Sequence, residues 1–289
     1  MALALLPAAA ITTSLALAAP ASQKATLRAG ADHARVGTRL HLSGSVPGAA
    51  NLPVKLSFNP AGSKRSWRKV GHTRTHAHGG FGFRVVAHET GAFRAVPRGA
   101  RPSDHTPLRV RSRTHGSTPR RGVIGHGVPI KGRVAPGDAG RRVAVSVSGT
   151  TLHTHARRGG GFRVTWRPHR TGTFPVHVAA HGDLVAAGSR DYAGRVTVFR
   201  PAQASWYGPG FYGQRTACGQ TLQSSTLGVA NKTLPCGTHV TLRYGSHQVT
   251  VPVIDRGPYV RGVRWDLTKR TAKRLNFTST DTIRAAPID

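Results

Sequence analysis

The sequence of 289 residues contains very few acidic side chains. It has 10 Asp and Glu against 42 Lys and Arg, which gives a formal net charge of +32. Glu89 is the only glutamate in the chain. Catalysis by carboxyl groups must therefore depend on a small number of aspartates.

Apolar runs long enough to span a bilayer are absent after the N-terminal segment. That segment, residues 1–21, is apolar from Ala2 to about Ala19 and ends in small residues typical of a signal cleavage site. Pro7 and a Thr-Thr-Ser cluster interrupt it, which favours a secretory signal peptide, with an uncleaved anchor as the alternative. We therefore expect a secreted, cell wall-associated protein.

Aromatic residues are scarce, at 6%, and this limits the choice of partner. A strongly basic surface attracts polyanions, and nucleic acid is the generic candidate. An exported protein with few rings to stack on bases is poorly suited to that role, so we expect no nucleic acid partner. The basic surface predicts contact with anionic wall polymers, and a solvated arginine-rich surface without a partner is the alternative.

Cysteine is limited to one pair, Cys218 and Cys236, 18 positions apart. In an exported protein an isolated pair favours one disulfide, which stabilises a domain by roughly 3 kcal/mol for a loop of this length. The alternative is a thiol nucleophile with His239 or His247 as its base.

The sequence offers no complete set of metal ligands, although 14 of its 16 histidines lie in the first 200 residues. Two pairs have i,i+2 spacing, which places each pair on one face of a strand. No acidic or Cys ligand stands nearby to complete a zinc or nickel site. We expect exposed strand-face histidines and no metal or cofactor. The pairs are His76 with His78 and His153 with His155.

Helical periodicity is scarce before the last thirty residues, and short alternating stretches between Gly and Pro predict an all-β fold. Two segments of the chain have the same order of features. One contains "THAHGGFGFRVV" and the other "THARRGGGFRVT", each after two short strands and a small-residue turn. Residues 24–112 and 113–200 are therefore predicted to form two β-sandwich repeats, which resemble the immunoglobulin-like modules of bacterial surface proteins.

The C-terminal part has a different character and contains four motifs in a fixed order. Together they resemble the RlpA-like double-psi β-barrel of rare lipoprotein A-type lytic transglycosylases and, more distantly, of expansins. The resemblance implies that residues 201–289 form a six-stranded barrel with a groove for a glycan strand and one short helix, Leu267–Leu275. The motifs are "ASWYGPGFYGQRTACG" (204–219), "GVANKTLPCGTHVTL" (228–242), "VTVPVIDRGPYVRG" (249–262) and "WDLTKRTAKRLNF" (265–277).

The carboxylates of this region narrow the candidates for catalysis. Asp281 and Asp289 lie beyond the motifs, which leaves Asp255 and Asp266. A lytic transglycosylase needs one acid/base group, because a hydroxyl of the muramic sugar itself attacks. The resemblance implies that role for Asp255, with Asp266 as a second candidate or an orienting partner. A structural role is the alternative for both aspartates, and for Asp255 it is a turn cap before Arg-Gly-Pro.

The resemblance also predicts a groove that binds peptidoglycan glycan strands through aromatic faces, amides and cations. The transglycosylase branch has Asn-Gly-Glu where this chain reads Cys218-Gly219-Gln220, and His where it has Asn231. Neither amide can transfer a proton, so a non-catalytic peptidoglycan-binding or expansin-like wall-loosening protein is the alternative function. The predicted substrate-binding residues are Trp206, Tyr207, Tyr212, Arg215, Gln220, Asn231, Lys232, Arg256, Tyr259 and Trp265.

Overall fold

A computed structural model describes residues 23–64 and 66–288. The predicted signal peptide lies outside the described residues. The chain forms two compact units, one built from residues up to Ser112 with Gly182–Ala187, and the other from Arg113–His181 with Gly188 onward. In the described part of the chain, no helix has the length and apolarity needed to cross a membrane.

The first unit consists of two β-sheets with buried inner faces. One sheet has the order β1-β3-β6 and the other β2-β8-β7-β4-β5. Alternation along β4 buries Val54, Leu56 and Phe58 while Lys55 between them stays exposed, as expected for a strand with one face on the core. The strands are β1 (Arg28–Ala29), β2 (His33–Arg35), β3 (Arg39–Ser45), β4 (Pro53–Pro60), β5 (Arg68–Arg74), β6 (Gly80–Val86), β7 (Gly91–Pro97) and β8 (Thr106–Arg111).

The second unit begins with two sheets of the same design, with orders β9-β11-β14 and β10-β16-β15-β12-β13. Strand for strand, the order and the parallel or antiparallel sense match those of the first unit. The two similar sequence segments thus have one topology. The strands are β9 (Arg113–Ser117), β10 (Arg121–Val123), β11 (Val128–Ala135), β12 (Arg142–Val147), β13 (Thr150–His155), β14 (Gly161–Trp166), β15 (Gly172–Ala180) and β16 (Ser189–Tyr207).

Strand β16 has 19 residues and continues into the C-terminal region. There the pairings run β16-β20-β17-β19-β18-β21, and β21 pairs again with β16. The pairs β16–β20 and β17–β19 are parallel, and the other pairs of this series are antiparallel. The remaining elements are β17 (Val229–Ala230), β18 (His239–Tyr244), β19 (His247–Asp255), β20 (Val263–Thr268), α1 (Lys269–Leu275) and β21 (Asp281–Ile288).

The helix α1 is the only one in the described residues and begins two residues later than the predicted Leu267. Leu267 and Thr268 complete β20, and the side chain of Thr268 caps the helix by accepting a hydrogen bond from the backbone N–H of Thr271. Asn276 ends the helix in the left-handed conformation. The expectation of a nearly all-β chain with one short helix is confirmed.

Candidate functional site

The two candidate aspartates line one open cavity of about 370 Å³ in the C-terminal region. Strand β17 lies between β19 and β20, and its Ala230 is the register partner of Asp255 on one side and of Asp266 on the other. Two strand spacings separate the two backbones, roughly 10 Å. The small side chain of Ala230 therefore leaves room between two carboxylates that the sheet register brings together.

Asp266 is half-buried, and its carboxylate accepts a hydrogen bond from the hydroxyl of Ser205 at 2.8 Å. Ser205 is its register partner on the neighbouring strand β16. Burial raises the pKa of Asp266, the Ser205 hydrogen bond opposes this, and the negative charge of Asp255 raises the pKa further. The balance favours a carboxyl group that keeps its proton to a higher pH than an ordinary aspartate.

Asp255 is the last residue of β19, and its side chain is held by the backbone. Its Oδ1 accepts hydrogen bonds from the N–H of Ala217 at 2.9 Å and from the N–H of Arg256 at 2.8 Å. The Arg256 guanidinium donates to the carbonyl of Asn231 at 3.3 Å and to Sγ of Cys236 at 3.2 Å. The two backbone N–H groups fix the orientation of the Asp255 carboxylate, and the one from Arg256 is the turn-capping contact expected for an aspartate at this position.

Tyr207 places a phenol beside both carboxylates. It lies two residues after Ser205 on β16, so the two side chains share a face of the strand. Burial raises the pKa of the Tyr207 phenol, and the charges of Asp255 and Asp266 and a hydrogen-bonding interaction with Asp255 raise it further. The hydroxyl oxygen is buried and has no partner at regular hydrogen-bonding distance and angle within the described residues. Tyr207 is therefore a neutral phenol that lines the same cavity as the two carboxylates.

Six of the twelve residues predicted for catalysis or substrate binding line this cavity. Tyr259 is 81% exposed at its rim, and the ammonium of Lys232 lies 5.9 Å from the centre of its ring. Lys232 itself lines a neighbouring depression. The six lining residues are Tyr207, Arg215, Asp255, Arg256, Tyr259 and Asp266.

The structure does not bring the other predicted groove residues into the cavity. Trp265 is 3% exposed and packs in the core of the C-terminal region. Asn231 is also buried, and its amide oxygen accepts hydrogen bonds from the N–H groups of Thr233 and Leu234. The indole of Trp206 donates to a backbone carbonyl and lies under Lys269. Tyr212 and Gln220 are exposed outside the cavity lining.

Several residues that the site uses were not predicted from the sequence. Ser205 contributes a hydroxyl, Ala217 a backbone N–H, and Ala230 a side chain small enough to leave space between the carboxylates. The type of amino acid alone predicts none of these roles. The aromatic side of the cavity also includes Phe211, whose ring lies 6.2 Å from that of Tyr207. Only the "SWY" spacing after a predicted strand could have indicated Ser205, because Ser and Tyr alternate there.

Cys218 and Cys236 form a disulfide, as predicted, with the Cα atoms 5.7 Å apart. Among the described residues there is no free cysteine, so the pair supplies no thiol nucleophile. Residues 23–64 and 66–288 contain no group of three or more His, Cys, Asp or Glu placed to hold a metal ion.

Comparison with known proteins identifies the C-terminal region. The family model described as lytic transglycolase matches residues 201–286. The chain is 44% identical over 81 residues to the endolytic peptidoglycan transglycosylase RlpA of Campylobacter jejuni, a match that covers 27% of this chain and 30% of that protein. Residues 201–286 form an RlpA-like domain.

Two further relatives of the RlpA-like domain also match this chain over only part of their length. A probable endolytic peptidoglycan transglycosylase RlpA of Synechocystis is 40% identical over 92 residues, covering 31% of this chain and 28% of the relative. The protein named endolytic peptidoglycan transglycosylase RlpA in Neisseria meningitidis serogroup B is 33% identical over 112 residues, covering 37% and 46%. The chain thus matches less than half the length of these relatives.

Two solved structures to which this chain is similar share little sequence identity with it. The fibronectin(III)-like modules of Clostridium thermocellum CbhA align with a TM-score of 0.26 at 17% identity, over 61% of this chain and 95% of that one. A tetra-tandem repeat of a large adhesion protein aligns with a TM-score of 0.37 at 12% identity, over 93% and 74%. At these scores neither likeness bears on fold or function.

Proposed function

We propose that the RlpA-like domain is a lytic transglycosylase that cleaves the glycan strands of peptidoglycan, within a protein that is exported and wall-associated. The observation that supports this most is the pair Asp255 and Asp266 in one open cavity, with unequal environments. The ring of pairings from β16 to β21 fits a six-stranded double-psi barrel, and the relatives' names point to the same reaction.

In the proposed reaction, protonated Asp266 donates its proton to the glycosidic oxygen as the bond from that oxygen to the anomeric carbon breaks. The primary hydroxyl of the muramic sugar then attacks the anomeric carbon and forms an anhydro ring. The proton released from this hydroxyl returns to the Asp266 carboxylate, so no water and no net proton are consumed. Burial supports this role, because it keeps the carboxyl protonated at a higher pH.

Asp255, to which the family resemblance assigns the acid/base role, has a complementary part in this proposal. Its carboxylate is fixed by two backbone N–H groups and stands across Ala230 from Asp266. A fixed negative charge stabilises the positive charge that develops on the sugar ring in an oxocarbenium-like transition state. The same charge also raises the pKa of Asp266.

Sugar binding is assigned to the residues at the cavity wall and rim. The exposed ring of Tyr259 offers a face for a sugar, and Arg215 and Arg256 offer cations for the carboxylates of peptidoglycan. Arg215 donates to the carbonyl of Gly219 at 3.0 Å, which holds its guanidinium at the cavity.

A non-catalytic, expansin-like wall-binding protein is the second candidate function. The observation that favours it is the presence of amides at Gln220 and Asn231, where the transglycosylase branch has an acid and a histidine. Asn231 is buried and its amide is hydrogen-bonded to the backbone, so it cannot take over proton transfer. The cavity would then bind glycan without cleaving it.

The test is incubation of peptidoglycan with the purified protein, with Asp266→Asn and with Asp255→Asn, followed by mass spectrometry of soluble anhydro-muropeptides. Loss of a general acid lowers the rate by about 10²- to 10⁴-fold, so we expect both variants to be nearly inactive. Asp281→Asn is the matched control, because Asp281 is an exposed aspartate of the same region that binds Tyr244. Wall pelleting without any product from the unmodified protein would support the binding function instead.

A further inference from the structure

The second unit has a groove of about 610 Å³ on the outer face of the sheet formed by β13, β12, β15 and β16. The floor of the groove consists of small residues, since Ala144 and Ala179 are cross-strand partners and Ser146 is their neighbour on β12. The side chains around this floor include one arginine and four aromatic rings, and they are His153, His177, His181, Arg190 and Tyr192. This face lies on the second sandwich repeat, outside the RlpA-like domain.

A β-bulge directs two of these side chains outward. Val176 pairs with Gly194, but the next residue, His177, pairs with Tyr192, so Ala193 is an extra residue on β16. Ala193 is buried, whereas Tyr192 is 51% exposed and Arg190 is exposed. Bulges of this kind change which side chains face out from a sheet and are common beside binding sites.

The ring of Tyr192 lies 5.3 Å from that of His177, directly opposite it on β15. The planes of the two rings are inclined by 49°, so they present two adjoining exposed aromatic faces, each of which can stack on a sugar ring. Arg190 pairs with Ala179 and stands next to these rings, where its guanidinium can bind a carboxylate or a phosphate. The acid at the edge, Asp191, is already held by the N–H of Gly116 at 2.8 Å and lies 3.7 Å from His115.

The first unit provides an internal comparison because its strands have the same topology. At the position of Ala144 it has Lys55, and at the position of Ala179 it has Val96, which is the cross-strand partner of Lys55. Larger side chains thus occupy the floor in the first copy. The depression therefore depends on the small residues of the second copy and is not a general consequence of the fold.

We propose that this groove binds an anionic polysaccharide, whose sugar rings stack on Tyr192 and His177 while its charged groups pair with Arg190 and the neighbouring histidines. The shared ligand chemistry is a sugar chain with carboxylate or phosphate groups. Such a site would hold the protein on a wall polymer independently of the cavity that contains Asp255 and Asp266.

The test is isothermal titration calorimetry of the full chain at low salt with polygalacturonate, dextran phosphate and neutral dextran. We expect both anionic polymers to bind and neutral dextran to show no measurable binding, and the stronger of the two identifies the charged group. Arg190→Ala is expected to weaken binding by about 10-fold, and Tyr192→Ala by about 5-fold. The matched control is Arg163→Ala, an exposed strand arginine of the same unit, with less than about a 2-fold effect.

Ala144→Lys separates a shaped site from general attraction by charge. It adds a positive charge but fills the floor as in the first copy, so we expect binding to weaken by about 10-fold. Ala179→Val, which copies Val96, fills the floor without a charge and serves if Ala144→Lys does not fold. Equal or tighter binding by folded Ala144→Lys, or an equal loss in Arg163→Ala, would overturn the proposal. Duplex DNA that binds with the same dependence on Arg190 and Tyr192 would overturn it in favour of nucleic acid.

Discussion

Ser205 opposes, through a single hydrogen bond, the rise that burial causes in the pKa of the proposed acid Asp266. Its hydroxyl donates to Asp266 at 2.8 Å, which stabilises the ionised form and so lowers the pKa of Asp266. In Ser205→Ala this opposing contribution is lost and the pKa of Asp266 rises. Because the proposed reaction needs protonated Asp266, its rate is expected to fall as pH increases through this pKa. In Ser205→Ala we therefore expect the falling limb of the pH–rate profile to move to higher pH.

The measurement is the rate of anhydro-muropeptide release across a pH series, for the unmodified protein and for Ser205→Ala. The residual activity of Asp255→Asn is expected to show the opposite shift. Removing the neighbouring negative charge lowers the pKa of Asp266, so the falling limb of the pH–rate profile moves to lower pH. A profile that falls in height in Ser205→Ala without moving would show that Ser205 is merely structural, or that Asp266 is not the acid.

The glycine runs of the two repeats have a steric explanation. Gly160 has φ +81°, and an added Cβ would overlap the carbonyl oxygen of Val134; Gly79 has φ +82° and meets Val46 in the same way. Gly125 has φ +76° but open space around it. We expect Gly160→Ala to lower the free energy of unfolding by about 3 kcal/mol and Gly125→Ala by about 1 kcal/mol, measured by urea denaturation. Equal losses would mean that only the backbone conformation matters.

At the level of strands, alternation explains which predicted groove residues reach the cavity. Neighbouring residues on a strand point to opposite faces. Trp265 and Asp266 are adjacent on β20, so once Asp266 faces the cavity, Trp265 packs in the core. Trp206 and Tyr207 are likewise adjacent on β16, so Tyr207 faces the cavity while Trp206 packs against the core. This restriction was available from the sequence, whereas the meeting of Asp255 with Asp266 across Ala230 depends on a register that no local pattern encodes.

The disulfide connects two chain segments that contact residues of the cavity. Cys218 follows the segment containing Ala217, whose N–H binds Asp255, and Cys236 accepts a hydrogen bond from Arg256. Replacing both cysteines with serine is expected to lower the free energy of unfolding by about 3 kcal/mol, because the unfolded chain regains the freedom of an 18-residue loop.

The matching measurements are thermal unfolding and activity of Cys218→Ser/Cys236→Ser. We expect activity to fall more than folding alone explains at a temperature where the variant is folded, because Asp255 loses its fixed orientation. Full activity in the folded variant would show that the Ala217 segment keeps its position without the covalent link.

Along the sequence, the candidate catalytic residues and most of the basic side chains lie in different parts of the chain. Residues 201–289 contain 11 of the 42 Lys and Arg, and both candidate catalytic aspartates. The preceding residues contain the other basic side chains and the groove on the outer face of the second repeat. The identity of the RlpA-like domain was accessible from the sequence, because four motifs in a fixed order indicate it. The groove was not, because it arises from small residues on separate strands and a bulge.

This division predicts that wall binding and cleavage respond differently to salt. Attraction between a +32 chain and an anionic wall is screened as ionic strength rises, so we expect pelleting with cell walls to fall about 10-fold or more between about 50 mM and 500 mM NaCl. In the proposed reaction, cleavage of saturating soluble glycan strands depends on a half-buried pair of carboxylates, and we expect its rate to change by less than about 3-fold. Parallel measurement of both in one salt series is decisive: retention on walls that is independent of salt would mean that the cavity, and not the basic repeats, holds the protein there.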